Sequence, residues 1–532
     1  MTIRRAFVLA PLLLVTLLLV TSGALSARTV PVAGGPVAVP ASAKSTAPAP
    51  GDWPMYLHDE VRSGANLVDR SLNVSDVPYL AKVWSFATNG TIAASPIIVR
   101  GTVYVGSWDG YEYAVNSSTG AELWATFLGT TSNPKCVPAN LGVTSTASWE
   151  HGVLYVGGGD GYWYALNAAN GSILWRLFLG NSSSYYNWGS PLIAGSHAYV
   201  GLASDCDAPL IRGALLEISL TTHKVLHTFY TEAPGQRGAS IWSSPVYDAR
   251  TNSVFVTTGN GVMANQPYAQ AFLSLNASTL ALQGSWKVPV NTTGVDSDFG
   301  TTPTFIPGAH GMPLLVATNK NGLAYALARS NVTAGPVWTT RIAAGGPCPQ
   351  CGDGSASSGA YANKTLFLAG GEVTLGGTNY SGSIQALWPS NGTIRWQDGL
   401  NAPVIPALGY DNGVVVAGVG KSVRGFNAAT GAQLFNFSTH GVIYGPAAIA
   451  HGCVFFGSTD GHVYALGLAP LNCSVPSLAS VGHHASRTAH LGAGGEEGSP
   501  TGAGAFAPSA QAAAPPRRRH PARFAPLRRG LG

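Results

Sequence analysis

Charge is what this 532-residue chain has least of: charged residues make up 10% of it, against roughly 25% in a typical globular protein. A water-facing surface must then be built from Ser, Thr, Asn and Gly. From Ser474 onward seven Arg and two Glu account for the whole formal charge of +5, so residues 1–473 sum to zero. That leaves the body of the chain without the basic footprint that nucleic acid requires. A nucleophile elbow and a metal-ligating His pair are also missing, which leaves hydrolysis without its usual residues. Cys348-Pro-Gln-Cys351 has no second CxxC beside it and no His after Cys351, so it is neither a zinc site nor a haem attachment site. No Cys lies near residue 27, which argues against a lipoprotein anchor. The one long apolar run, Ala6 to Val20, has fifteen residues, short of the about 20 that span a bilayer. With Arg4-Arg5 before it and small residues up to Ala27, Met1 to Ala27 reads as a secretory signal, an uncleaved N-terminal anchor being the alternative.

What is present is a repeat. Ser95 to Trp124 holds short apolar runs broken at Arg100-Gly101, Asp109-Gly110 and Ser118-Thr119-Gly120. Asp-Gly between alternating apolar runs marks a tight hairpin, because Gly accepts the positive φ of a primed turn. The unit is a four-stranded antiparallel meander, which cannot bury its two faces alone. It recurs from Ser145, Ser190, Ser244, Thr302, Ser358, Ile405 and Gly445, eight copies in all. Taking Tyr104, Tyr155, Tyr199, Phe255, Leu315, Phe367, Val415 and Phe455 as equivalent, the spacings run from 40 to 60 residues. Four-stranded units at that period predict an all-β chain folded as an eight-bladed β-propeller. The eighth copy stops at Leu466 without an outer strand, and Ala81 to Ala87 resembles one. The N-terminal strand is therefore expected to complete the last blade and close the ring.

The expected organisation is a signal at 1–27, a Pro/Ala-rich linker at 28–51, the propeller at 52–473 and a disordered basic tail at 474–532. Six cysteines in an exported chain favour disulfides. Cys453 and Cys473 straddle the end of the ring, Cys136 and Cys206 lie in loops of adjacent units, and Cys348 and Cys351 form a short loop. Asn-x-Ser/Thr sequons such as Asn116 and Asn170 suit a glycosylated exported protein, but turn chemistry in a turn-rich fold is the better account of most of them.

The repeat ends Ala114 to Trp124 and Ala165 to Trp175 resemble the tryptophan-docking motif of eight-bladed quinoprotein propellers. The motif is degraded near Trp396 and Phe435 and has lost its Gly and Trp between Ser219 and His227. Asp52-Trp-Pro-Met-Tyr56, with Asp59, Arg62 and Gly64, looks like that family's opening segment. Three stretches resemble the branch that holds pyrroloquinoline quinone (PQQ), including the polyvinyl-alcohol dehydrogenases. The resemblance implies that Trp242 stacks on PQQ, that Asn260 ligates Ca²⁺, that Lys320 contacts the quinone carbonyls, and that Asp296 or Asp298 is the catalytic acid-base group. Two departures stand out. Ala208 falls where the family's Ca²⁺-binding Glu is expected, leaving Asp207 as a shorter substitute, and the vicinal Cys-Cys pair is absent.

Two functions follow as expectations. One is an exported PQQ- and Ca²⁺-dependent dehydrogenase that oxidises an alcohol or polyol as a monomer, with an electron acceptor that the sequence does not name. The other is a non-catalytic propeller at the cell surface that binds proteins or polysaccharide and resembles the outer-membrane assembly lipoprotein. For the first, Trp242, Asn260, Lys320 and one of Asp296 or Asp298 must meet at the central channel, with Asp207 near Asn260.

Overall fold

The computed structural model describes residues 47–263, 265–294, 296–468 and 473. The expected signal, most of the linker and the basic tail lie outside the described residues. Eight sheets follow one another, each with a four-stranded antiparallel core, to which Tyr185–Tyr186 adds a short fifth strand in the third and Ala65–Asn66 a parallel one in the seventh. Blades 1 to 7 occupy residues 97–127, 148–178, 192–230, 246–287, 304–341, 360–400 and 409–438; blade 8 combines 448–467 with Ala81–Ala87. All eight residues taken as equivalent lie on second strands. Trp84 pairs with Ala465 and Ala87 with His462, so the N-terminal strand does form the outer edge of the last blade. Blade 6 carries an inserted hairpin, Val373–Leu375 with Thr378–Tyr380. Among the described residues no helix is long and apolar enough to cross a membrane.

The inner hairpins share one turn chemistry. Asp109 accepts hydrogen bonds from the Tyr111 amide and the Tyr113 hydroxyl, and Asp160 and Asp460 do the same two and four residues on. Gly110, Gly161 and Gly461 follow at φ of +92°, +83° and +81°, which a side chain would oppose. Blade 5 uses Asn321 instead, which accepts from the Leu323 amide and donates to the Tyr325 hydroxyl.

Tryptophans lock four of the outer strands to the next blade. The indole N–H groups of Trp84, Trp124, Trp338 and Trp396 donate to the carbonyls of Ser117, Ala168, Pro389 and Ala428. The ring lies against Gly120, Gly171, Gly392 and Gly431 respectively, where a Cβ would collide with it. At blade 3, where that glycine is missing, His223 adopts a positive φ of 57° and stacks on Trp175, ring centroids 4.5 Å apart.

A hydroxyl collar joins the inner strands. The amides of Ser95, Thr146, Ser190, Ser244 and Thr302 donate to the hydroxyls of Thr146, Ser190, Ser244, Thr302 and Ser358, linking blades 1 to 6 in order at 2.9–3.0 Å. Between blades 8 and 1 a Cβ on Gly445 would strike the Ala93 and Ala94 carbonyls, so backbone meets backbone there.

The segment after Asp52 runs from blade to blade. Trp53 bridges Ile98, the Trp149 amide donates to the Pro54 carbonyl, Tyr247 to Glu60, Tyr361 to Ser63 and Tyr410 to Gly64. Arg62, fully buried, donates to the carbonyls of Tyr56, Pro191 and Pro245.

Cys453 is bridged to Cys473, Cys136 to Cys206 and Cys348 to Cys351. Closing the 20-residue separation at the ring's end stabilises by about 3 kcal/mol in the chain-entropy model.

Two outcomes follow. Ser190→Ala leaves the Thr146 amide buried without its acceptor, and the folded state should lose about 1–3 kcal/mol in a denaturant titration. Asp411 is buried with neither carboxylate oxygen hydrogen-bonded, and burial and the Asp69 charge push its carboxyl up to about 8. The folded chain therefore holds a proton that the unfolded chain has released, and stability falls as pH rises from the ordinary Asp value toward 8. Comparing melting curves of the unaltered protein and Asp411→Asn between about pH 5 and 7, the variant should lack a slope of up to about 1.4 kcal/mol per pH unit.

Candidate functional site

Two cavities meet near the channel axis. The larger, about 460 Å³, is lined by the start of every blade's inner strand, from Ser95 and Thr146 round to Pro446, with Tyr56 from the N-terminal segment. The smaller, about 380 Å³, lies among residues from the ends of blades 3, 4 and 5. Trp188, Trp242, Asp296, Lys320 and Gln350 line both.

Each predicted side chain has a local reason for its place. Lys320 directly precedes Asn321, the residue that shapes the blade 5 turn, so that turn aims the lysine inward. Trp242 sits on the loop before strand Val246–Asp248, and its six-membered ring covers Gly300, where a Cβ would overlap it. Lys320 Nζ lies 5.5 Å from the Trp242 ring centroid, within cation–π range. Asp298 is fixed by its carbonyl, which accepts the Lys320 amide, and by its neighbour Phe299, which is fully buried against Phe272. Asp296 occupies a left-handed conformation, φ 59°.

The ammonium of Lys320 donates to Asp296 Oδ2 at 3.0 Å and to Asp298 Oδ2 at 3.4 Å. Burial pulls the Lys320 pKa down, but Asp298 and Asp296 outweigh it and the net shift is upward. Burial pushes the Asp298 carboxyl up to about 7 against the pull of Lys320, with Asp296 and Asp207 adding to the rise. Its Oδ1 is buried without a hydrogen-bond partner. Asn260 lines the smaller cavity, and its carbonyl accepts the Ala239 amide. Asp207 opens to the same cavity beside Cys206, whose disulfide to Cys136 ties down the loop. Its carboxyl is raised by the protein packed around it and by Asp296, while Ser204 and Asn260 lie within hydrogen-bonding reach and oppose the rise.

All six residues expected from the sequence, Asp207, Trp242, Asn260, Asp296, Asp298 and Lys320, thus line one cavity. Among the described residues no group of three or more His, Cys, Asp or Glu side chains is arranged to hold a metal ion, in keeping with Ala208 in place of an acid.

The family model described as outer membrane protein assembly factor BamB (PQQ_2) matches residues 81–201 and 320–470, about half of the chain. The chain belongs to that PQQ_2 family. It is 24% identical over 448 residues to a polyvinylalcohol dehydrogenase of Sphingopyxis sp. (strain 113P3), covering 75% of this chain and 63% of the relative. It is 26% identical over 252 residues to a quinohemoprotein alcohol dehydrogenase of Comamonas testosteroni, covering 40% of this chain and 34% of the relative. The chain therefore spans less than two thirds of the length of these curated relatives. Among solved structures, a europium-containing methanol dehydrogenase superposes with a TM-score of 0.66 at 15% identity, covering 79% of this chain and 98% of that one; that likeness is one of fold.

For a PQQ_2 propeller the site holds residues that the sequence did not single out. Trp188 donates its indole N–H to the carbonyls of Ser204 and Asp205, which turns its ring into the cavity wall. Trp188 follows no repeat landmark, and Gln350 lies inside a CxxC loop read only for its sulfurs, so neither carried a signal. Asp205 is buried with Oδ1 unpartnered.

Gly300→Ala places a methyl group against the Trp242 ring. Overpacking of this kind costs about 1–3 kcal/mol, so the variant should melt earlier and show altered near-ultraviolet circular dichroism from the displaced indole.

Proposed function

We propose that this chain is an exported quinoprotein dehydrogenase that binds PQQ with Ca²⁺ and oxidises an alcohol or polyol. The observation that carries this reading is the meeting of Trp242, Lys320, Asp296 and Asp298 in one cavity. The fit to a flat, carboxylated quinone rests on chemistry present in the site. An indole face offers a platform, the methyl-free Gly300 lets that ring lie flat, and a single buried ammonium offers a counter-charge. Asn260 and Asp207, which line the same cavity, would hold Ca²⁺. A hard cation takes six to eight oxygens, so two protein ligands leave most positions to the bound molecule and water.

PQQ, when bound, is the two-electron oxidant. The chain's own residues do the rest. Trp242 and Trp188 wall the cavity. Lys320 orients the ligand through its charge while Asp296, partly open to the channel, holds the ammonium in place. Asp298, raised to about 7, is the base for the substrate hydroxyl, since a base works best with a pKa near the operating pH. The three disulfides support an oxidising, extracytoplasmic location.

A second reading, a non-catalytic scaffold that binds proteins or polysaccharide, is favoured by one observation, Ala208 where an acid is expected. The two separate on a simple measurement. Purified protein incubated with PQQ and Ca²⁺ should retain the quinone absorbance through gel filtration, and Asp207→Ala should abolish the Ca²⁺ dependence. Loss of all absorbance from the unaltered protein would favour the scaffold. In the loaded enzyme kcat/KM should rise with pH as Asp298, whose carboxyl burial raises, releases its proton, and Asp298→Asn should cost about 10²–10⁴ in kcat.

A further inference from the structure

Gln350 is one of five residues that line both cavities, and the other four are Trp188, Trp242, Asp296 and Lys320. It is exposed, and among the described residues its carboxamide has no hydrogen-bond partner. A free amide on a mobile surface loop would mean little, but this loop is held tightly. The Cys348–Cys351 disulfide closes it, and the amides of Cys351 and Asp353 both donate to the Cys348 carbonyl. The Asp353 carboxylate accepts the Cys348 amide at 3.1 Å. Buried Pro349 starts the single helical turn Pro349–Cys351 that carries the glutamine.

The same loop is built directly on the lysine's backbone. The Gly346 amide donates to the Lys320 carbonyl at 2.9 Å. Gly354, at φ 52°, lies so close to Lys320 that any Cβ would overlap its backbone carbonyl. The Glu372 and Gly371 amides then fasten residues 352 and 354 to blade 6. Gln350 and Lys320 are thus two side chains of one rigid assembly, placed on the same space by different chain segments.

From this we infer that Gln350 is a ligand-binding residue of the site, the neutral donor that recognises a carboxylate or carbonyl of the bound quinone, and that the Cys348–Cys351 loop is its positioning device. The inference rests on the function proposed above. Electrostatics explain why the residue is an amide. The cavity already holds Asp205, Asp207, Asp296 and Asp298 against one ammonium, so a further acid would repel an anionic ligand, whereas an amide donates without adding charge.

Equilibrium dialysis of PQQ against the full chain in Ca²⁺ tests this. Gln350→Ala should weaken binding about tenfold, the range of one hydrogen bond to a charged group. Gln350→Glu should weaken it further, and C348S/C351S should match the alanine variant, with melting temperatures showing that all three fold. Equal affinity of the alanine and glutamate variants with the unaltered protein overturns the inference and leaves the proposed function standing. An unchanged C348S/C351S overturns the positioning role of the loop. If the unaltered protein itself binds no PQQ, the proposed function fails and this inference falls with it.

Discussion

The collar of hydroxyls around the channel is the contact on which the rest of the ring depends. A propeller blade packs on its neighbours mainly through apolar faces, and apolar packing by itself does not fix how far one blade slides along the next. An amide of one inner strand donating to a hydroxyl of the next does fix it, because a hydrogen bond tolerates only a few tenths of an ångström. Five such bonds in sequence set the blades from 1 to 6 at one level. Arg62 then takes up the carbonyls of Pro191 and Pro245, the residues just beyond two of these serines. Its guanidinium is fully buried and its pKa is lowered by burial to about 10, which leaves it charged at neutral pH. A planar cation with five donors suits three carbonyls arriving from different directions.

The candidate site uses this level as its reference plane. Lys320, Trp242 and the Asp296–Asp298 loop belong to neighbouring blades, and they meet only if blades 4 and 5 stand in register. The Ser244–Thr302 link is the collar bond between those two blades. The acid loop is also stitched to blade 5 by the Asn319 side chain, which donates to the Ser297 carbonyl at 2.8 Å. Electrostatics then favour a buried lysine that stays charged and a buried aspartate that gives up its proton near neutrality.

Most of the architecture was legible because it is local. Asp109-Gly110 and Asp160-Gly161 state their turns within two residues, and the Gly120 and Gly171 positions announce the tryptophans that rest on them. The incomplete last copy revealed the strand exchange with Ala81–Ala87 before any pairing was visible. The site was legible to the extent that the residues fall in recognisable segments, and Asp207, Trp242, Asn260, Asp296, Asp298 and Lys320 do come together. Gln350 and Trp188 escaped because their role comes from three-dimensional closure rather than from any spacing. His223 escaped for a related reason, since a non-glycine at positive φ replaces a glycine only when a neighbouring ring can repay it by stacking. Four of the six collar residues, Ser95, Ser190, Ser244 and Thr302, stand in Ser-Pro or Thr-Pro openings of the repeats, but a serine before proline reads as a turn residue until its partner in the next blade is seen.

Sharing blade 8 between the two ends of the propeller has a consequence for biogenesis. Ala81 pairs opposite Gly467, so a strand synthesised before blade 1 waits for the last strand of the ring before its edge is satisfied. Until then seven blades are stacked as an open arc, with unpaired backbone at both ends and a strand inviting foreign partners. Non-local pairing of this kind forms slowly. A chain that crosses a membrane before folding would release both ends into the same compartment, and the Cys453–Cys473 bridge ties the segment after Gly467 back to the second strand of blade 8. Early termination anywhere before Gly467 would therefore yield sticky arcs rather than smaller propellers.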